Sequence, residues 1–309
     1  MCSRRESAAS GSLGDVIALL GLSSALIYGA SDFLGGLASR RITPLLVSFM
    51  SQLVALVIAT VATVVSNPQW SVSTVVLSAI AGVVGALATW AFYAALALGP
   101  MSVVSPGVAM IYAVIPAIVG FALGERIVPL GYVALTAVVV AAVLLAVPRR
   151  RDSARLTPRQ RDSARLTPRA VLYGSIAGLG YAGYIIAIDR TPAESGLLPL
   201  FIDLIVASLL YGTVLFVNRV RRGPGELAGI RDRGAVVQAV IAGVLLAAGN
   251  ILLVIGLHLG ELAIMGVLNA LYPLGTVILA FFLLRERLSV LQTVGVVLAL
   301  VASAVLALV

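Results

Sequence analysis

The chain has 309 residues, of which 61% are hydrophobic and only 11% are charged, and its mean hydropathy is +1.10. This number of charged residues is too small to cover the surface of a soluble protein of this size. The composition therefore predicts an integral membrane protein. The net charge of +8 comes from 21 arginines against 13 acids. Most of these arginines lie between apolar runs, where they set membrane orientation, so no nucleic-acid partner is expected.

Ten apolar segments of roughly 20 residues each follow one another along the chain. Strands of a membrane barrel alternate apolar and polar residues, whereas these runs are apolar throughout. The runs therefore predict helices rather than barrel strands. They cover residues 15–38, 43–66, 72–97, 102–122, 127–147, 170–188, 196–217, 234–257, 262–284 and 289–309. The first follows two arginines, as a signal peptide would, but its full-span length without a small-residue cleavage site predicts a retained helix.

The polar interval 148–169, PRRRDSARLTPRQRDSARLTPR, separates two similar halves. It contains RDSARLTPR twice, which indicates a local duplication and a solvated spacer, with contact to anionic lipid as the alternative. The predicted organisation is an N-terminal tail at 1–14, a first five-helix repeat at 15–147, this linker, and a second five-helix repeat at 170–309.

The two halves align when Glu125-Arg126 is placed on Glu286-Arg287, an offset of 161 residues that also places Gly99 on Gly260. A weaker match at an offset of 153 places Tyr28 on Tyr181. Because five spans is an odd number, the second half enters the membrane from the opposite side. The fold class predicted is therefore all-α, with ten transmembrane helices arranged as two inverted repeats, as in many secondary transporters. A duplication without transport is the alternative.

Several motifs resemble one family. They are the Glu-Arg after the fourth span of each half, GERI at 124–127 and RERL at 285–288, together with YPLGTVILAFFLLRERLS at 272–289 and IYGASDFLGGLASRR at 27–41. This pattern resembles the EamA branch of the drug/metabolite transporter superfamily. The resemblance implies an exporter or importer of small metabolites with a central cavity lined by both halves. The two halves differ in the position of one proline. Pro273 of the second half aligns with Tyr112 of the first half, where the proline, Pro116, lies one helical turn later.

Asp32 is the sharpest candidate, because it lies inside the first span, about 12 Å from Arg40 at 1.5 Å per residue. Its helix face carries Tyr28 and small residues, which favours an orientation toward other helices. A carboxylate there could bind a cationic substrate or carry a coupling proton, or could bond locally as a structural group. Asp203, near the start of its span, is interpreted as an interfacial or capping acid.

Aromatic and amide side chains at mid-span could form the wall of an organic-solute cavity, or could equally be core packing. Trp90 and Tyr93 share one face of the third span, and Asn250 precedes their counterparts on the eighth. The predicted substrate-binding or coupling set is Asp32, Tyr28, Trp90, Tyr93, Tyr112, Tyr181, Tyr184, Asn250, Asn269 and Tyr272.

Two prolines predict helix kinks, since Pro273 frees the carbonyl of Asn269 and Pro116 frees that of Tyr112. Freed carbonyls can line a cavity, although a kink used only for packing is the alternative. The Glu-Arg motifs at helix ends, formed by Glu125, Arg126, Glu286 and Arg287, are expected to be structural.

Several function classes are excluded or disfavoured. The chain has no lysine, so a GxxxxGK[ST] loop for nucleotide-driven pumping is impossible. One cysteine and one histidine argue against a disulfide, a metal site or an enzyme, and no cofactor is expected. We therefore expect a secondary transporter of a small organic metabolite in the cell membrane, with the solute and the lipid bilayer as partners. A lipid-handling or scaffold protein is the alternative.

The arginine distribution and the family resemblance predict opposite orientations in the membrane. Alternating spans put 17 of the 21 arginines on the side of the linker. The positive-inside rule then places the linker in the cytoplasm and both termini outside. The family resemblance implies the reverse. Substrate, direction, coupling ion and oligomeric state have no signal in the residues.

Overall fold

The computed structural model describes residues 2–99, 101–125, 129–145, 167–223, 230–275, 279 and 290–307. Within these ranges every regular element is helical. The helices are α1 (Cys2–Ser39), α2 (Pro44–Ser66), α3 (Val72–Leu98), α4 (Met101–Ala122), α5 (Pro129–Leu145), α6 (Pro168–Asp189), α7 (Leu198–Arg222), α8 (Arg233–Leu259), α9 (Leu262–Asn269) and α10 (Val290–Ala307), with a 3-10 turn at Ala193–Ser195 before α7.

Six of the described helices are long and apolar enough to cross a membrane. They are the segments Val16–Ser39, Pro44–Ser66, Val72–Leu98, Pro168–Asp189, Leu198–Arg221 and Arg233–Leu259. Three shorter apolar helices cover Gly107–Ala122, Pro129–Ala141 and Leu262–Gly275. These helices confirm an all-helical, multi-pass membrane protein. The first helix begins at Cys2, so the predicted tail at 1–14 is helical from residue 2.

Local sequence explains several helix ends. Ser71 and Thr167 begin α3 and α6, and the side-chain oxygen of each accepts a hydrogen bond of 3.1 Å from the backbone N–H three residues later. Asp232 caps α8 in the same way, through Ala235 N at 3.1 Å. Gly99 and Gly260, which the sequence alignment pairs, end the equivalent helices α3 and α8.

Helices of one half pack against helices of the other. Helix α3 lies against α6 and α7, and α8 lies against α1 and α2. Glycines permit the closest approach at both places. A Cβ at Gly82 would lie 2.7 Å from Asp203 O, and one at Gly243, 161 residues later, would lie 2.6 Å from Ser51 O. Side chains at either position would push the two backbones apart.

The outer surface is apolar, and small polar groups lie inside. Val65 and Phe216 are 80% and 68% exposed, as expected of side chains that face lipid. Buried Ser31 and Ser51 donate across to α8, to Ala242 O at 2.8 Å and Ala239 O at 3.0 Å. Polar side chains thus bond between helices rather than face the hydrocarbon.

Candidate functional site

A cavity of about 80 Å³ lies between helices of both halves. Its wall is formed by Tyr28, Asp32, Gln52, Ala81, Gly82, Gly85, Ala86, Thr89, Tyr93, Tyr112, Tyr181, Tyr184, Asp203, Leu204, Ala207, Leu246, Asn250, Leu253, Asn269 and Tyr272. This volume holds a few waters and is smaller than the sites that enclose drug-sized ligands.

Asp32 lies on this wall, on the face of α1 that turns toward the other helices. Three residues further on, a Cβ at Gly35 would overlap Tyr93 Oη, so the α1 backbone and the Tyr93 hydroxyl are in direct contact. Four tyrosines, Tyr28, Tyr93, Tyr181 and Tyr272, lie within electrostatic range of the carboxyl group. No described residue forms an ion pair with Asp32, which lines the cavity.

Asp203 also belongs to the cavity, although its place near the start of α7 suggested a capping acid. The residue is only 3% exposed. Tyr184 lies beside it, yet no hydrogen bond of normal geometry from the described residues reaches Asp203 Oδ2 or Tyr184 Oη. Asp203 is thus a second acid on the wall, contributed by the second half of the chain.

Two tyrosines of the cavity make equivalent bonds in the two halves. Tyr28 Oη donates to Asn250 Oδ1, and Tyr181 Oη donates to Thr89 Oγ1 at 3.4 Å. Both tyrosines occupy positions 153 residues apart, and their acceptors are 161 residues apart, the same offsets that align the sequence. Each bond joins a helix of one half to a helix of the other.

A polar chain joins α1, α9 and α4 deeper in the wall. Ser24 Oγ donates to Asn269 Oδ1 at 2.7 Å, and Asn269 Nδ2 donates to Tyr112 Oη at 2.7 Å. Tyr272 Oη donates to Ser105 O at 2.7 Å. These bonds hold Asn269, Tyr112 and Tyr272 at the interface between the halves.

The two predicted kinks differ. Helix α9 ends at Asn269, and helix resumes at 272–275 after two turn residues, so the backbone is interrupted directly before Pro273. Helix α4 is continuous through Pro116, which is buried and packs toward Gly266 of α9. In the first half, where the proline lies one turn later, the helix is therefore not interrupted.

Trp90 lies away from this cavity, unlike the other members of the predicted set. Its ring packs edge-on against Tyr173 with centroids 5.5 Å apart, and the described cavity wall does not include it. Of the two interpretations for this residue, packing between α3 and α6 fits its position.

Glu125 connects the two halves at one end of the molecule. Its two carboxylate oxygens accept hydrogen bonds from Leu262 N at 3.1 Å and Ala263 N at 3.0 Å, so it caps the N-terminus of α9. Burial raises the pKa of the neighbouring Glu261 above its ordinary value, and the Glu125 charge adds to this rise. The other predicted structural residues, Arg126, Glu286 and Arg287, lie outside the described residues.

The site has an acidic balance. Among the described residues, the cavity wall carries two carboxyl groups and no basic side chain. The described part of the chain contains no group of three His, Cys, Asp or Glu side chains placed to hold a metal ion. The cavity wall therefore presents tyrosine side chains together with carboxyl, amide and hydroxyl groups to a solute.

These features define the class as a polytopic helical membrane protein with a polar cavity between its halves. The model of the EamA-like transporter family matches residues 168–308. This match, over the second half of the chain, confirms the resemblance to the EamA family of the drug/metabolite transporter superfamily that the sequence motifs indicated. The family consists of transporters rather than enzymes.

One solved crystal structure is similar over nearly the whole length. It has a TM-score of 0.70 at 16% sequence identity, and the match covers 94% of this chain and 95% of that chain. At this identity the likeness shows the fold alone. No curated protein matches the chain by sequence.

Sequence reasoning missed Asp203, Gln52 and Thr89 as wall residues. Asp203 stands only five residues inside α7, and this position read as a membrane interface. The available signal was the presence of an acid and an amide within otherwise apolar segments, which by itself indicates a buried polar surface.

Proposed function

We propose that this protein is a secondary transporter that moves a small organic solute across the cell membrane. The observation that carries the proposal is the cavity itself, because helices of both halves line it and acids from both halves, Asp32 and Asp203, lie on its wall. Buried acids inside membrane helices are costly and typically mark a pathway for solutes or protons.

We further propose alternating access between two inverted five-helix repeats, 15–147 and 170–309, joined by the 148–169 linker. Three pairs of equivalent contacts support this arrangement. They are the glycines of α3 and α8, the tyrosine bonds of α1 and α6, and the helix ends at Gly99 and Gly260. The interrupted backbone at 270–271 resembles the discontinuous helices that form transporter sites.

The small cavity volume also has a place in this proposal. At about 80 Å³ the cavity must widen before an organic solute can enter. Rocking of one half against the other would widen it toward one side at a time. In this scheme Asp32 binds the solute or carries a coupling proton.

The alternative, a lipid-handling or scaffold protein, predicts a closed apolar surface between the halves. The described interface instead contains buried hydrogen-bonded groups such as Asn250, Asn269 and Tyr112. These groups lie on the cavity wall, so the interface is not the closed apolar surface that this alternative predicts, and transport fits the site better.

The test is the distribution of metabolites inside and outside cells that produce the parent, Asp32→Asn or Glu194→Gln at matched membrane levels. Glu194 is an exposed acid in the turn before α7 and serves as the control. We expect one solute class to redistribute with the parent and the control but not with Asp32→Asn. If no solute redistributes with any of the three, transport is rejected and the lipid or scaffold alternative gains.

A further inference from the structure

Two buried acceptors on the cavity wall lack a hydrogen bond of normal geometry. Asp203 Oδ2 and Gln52 Oε1 are enclosed; the Tyr184 hydroxyl lies beside Asp203 and the Tyr211 hydroxyl beside Gln52, but among the described residues neither acceptor is fully satisfied. Asp203 is 3% exposed and Gln52 is 6% exposed, and both residues line the cavity. Buried polar atoms are almost always paired, so atoms of this kind on a cavity wall indicate a bound molecule that supplies the donors.

The charge of the wall points to the same kind of molecule. Within the described lining, Asp32 and Asp203 are acids and no basic side chain balances them. An unbalanced carboxylate at membrane depth is unfavourable, and a positively charged ligand removes the imbalance. An anionic solute would increase it, and no described arginine of the wall could receive that anion.

The two acids come from different helices that contact α3 at different points. The backbone of Asp203 packs against Gly82 of α3, whereas Gly35, just beyond Asp32, packs against Tyr93. Gly82 and Tyr93 are about 16 Å apart along α3 at 1.5 Å per residue. The backbone segments that carry the two acids therefore meet α3 at different levels.

Gln52 lies between these two levels. It neighbours Tyr211, whose hydroxyl donates to Ala86 O at 2.5 Å, and Ala86 stands between Gly82 and Tyr93 on α3. Gln52 thus joins Asp203 and Asp32 as a third acceptor on the cavity wall.

Tyrosine rings line the space between the acids. Tyr28 is within electrostatic range of both Asp32 and Asp203, and Tyr184 lies beside Asp203. The faces of aromatic rings attract cations and repel anions. The wall between the two carboxyl groups is therefore suited to an organic cation.

We propose that the solute of this cavity is an organic cation with N–H donors, such as a protonated amine, and that Asp203 and Asp32 are two successive contacts for it. The inference rests on the proposed transport function and names its substrate class. The ammonium group donates to Asp203 at one end, to Gln52 in passing, and to Asp32 at the other end.

The experiment measures binding to the purified full-length protein by its thermal unfolding. The probes are sets with one carbon skeleton, in butyl, pentyl and phenethyl forms, each comprising the amine, the neutral amide and the carboxylate. A trimethylammonium analogue of each amine provides a cation without N–H donors. The proteins are the parent, Asp203→Asn, Asp32→Asn and the exposed control Glu194→Gln.

We expect at least one amine to bind tenfold or more tightly than its amide, its carboxylate and its trimethylammonium analogue. Asp203→Asn and Asp32→Asn should each weaken that amine at least tenfold, and Glu194→Gln should leave it unchanged. If either acid variant does not fold, Gln52→Leu replaces it, with an expected weakening of threefold or more.

Three results would overturn the inference: equal or tighter binding of a carboxylate or amide, an amine affinity unchanged by both acid variants, or no binding by any amine. Failure here is distinguishable from failure of the transport proposal. If a neutral or anionic solute redistributes in cells, the transport proposal is retained and the proposal of a cationic substrate is rejected. If no solute redistributes, the transport proposal itself is rejected.

Discussion

At the scale of the residue, the site depends on a few polar side chains whose partners come from the other half of the chain. The bond from Tyr28 to Asn250 and the bond from Tyr181 to Thr89 are equivalent in position but unequal in geometry. The second is 3.4 Å long, near the upper limit for a hydrogen bond. The two bonds should therefore differ in what they contribute to stability.

We predict that Tyr28→Phe lowers the free energy of unfolding by about 1 kcal/mol, because it leaves buried Asn250 Oδ1 without a donor. Tyr181→Phe should cost less, about 0.5 kcal/mol or below, because its bond is long. Tyr132→Phe, on the exposed face of α5, is the matched control and should have no effect. Denaturant unfolding of the purified variants measures this, and a larger loss for Tyr181→Phe than for Tyr28→Phe would contradict it.

Residue-scale prediction from the sequence was possible where an unusual residue type lay deep inside a span. Asp32, Tyr28 and Asn250 could be singled out because acids, amides and paired aromatics are rare at mid-span. Trp90 could not be placed, because an aromatic side chain serves a cavity and a helix contact equally well. Asp203 could not be placed either, since its depth depends on how far α7 is set into the membrane, which contacts between helices decide.

At the scale of the element, close packing of α3 on α7 and of α8 on α2 sets the shape of the cavity. Gly82 and Gly243 are the points of closest approach. The helices themselves were readable from length and apolarity. The interruption at 270–271 was only partly readable, because Pro273 predicts a kink in α9 while Pro116 stands in a helix that stays continuous.

We predict that Gly82→Ala and Gly243→Ala each destabilise the protein by about 1–3 kcal/mol, because the new methyl group overlaps backbone atoms of the facing helix. Gly107→Ala is the control, since an added Cβ there meets nothing within 4 Å. The measurement is the free energy of unfolding of each variant. A loss in only one of the two glycine variants would contradict their equivalence.

A second element-scale prediction concerns the cap of α9. Glu125→Gln should destabilise the protein by about 0.5–2 kcal/mol, because the amide group turns a donor toward one of the two N–H groups now bound by carboxylate oxygens. The exposed Glu194→Gln variant should be neutral. Unfolding midpoints decide the matter, and an unchanged midpoint for Glu125→Gln would show that the cap contributes nothing.

At the scale of the whole molecule, the arginine distribution and the cavity concern different properties. The arginines bear on the orientation of the protein in the membrane, and the cavity bears on the proposed transport. The family and the helical architecture followed from motifs and composition. The cavity volume and the pairing of its polar groups depend on side-chain packing between halves that are distant in sequence, so they required the structure.

The arginine count predicts that both termini are outside the cytoplasm. Alkaline phosphatase fused after Val309 should therefore be active, and a fluorescent protein fused at the same place should be dark. If the phosphatase fusion is inactive and the fluorescent fusion is bright, both termini are cytoplasmic, as the family resemblance implies.

We propose that one cavity is reached from both sides of the membrane in turn, and the accessibility of an introduced thiol can test this proposal. In a Cys2→Ser background, a single cysteine is placed at Ala207, on the cavity wall, or at the control Ala59, which is buried outside that wall. An impermeant thiol reagent is then applied to right-side-out and inside-out vesicles. We expect Ala207→Cys to react in both preparations and Ala59→Cys in neither. Reaction of Ala207→Cys from one side only, or from neither, would contradict it.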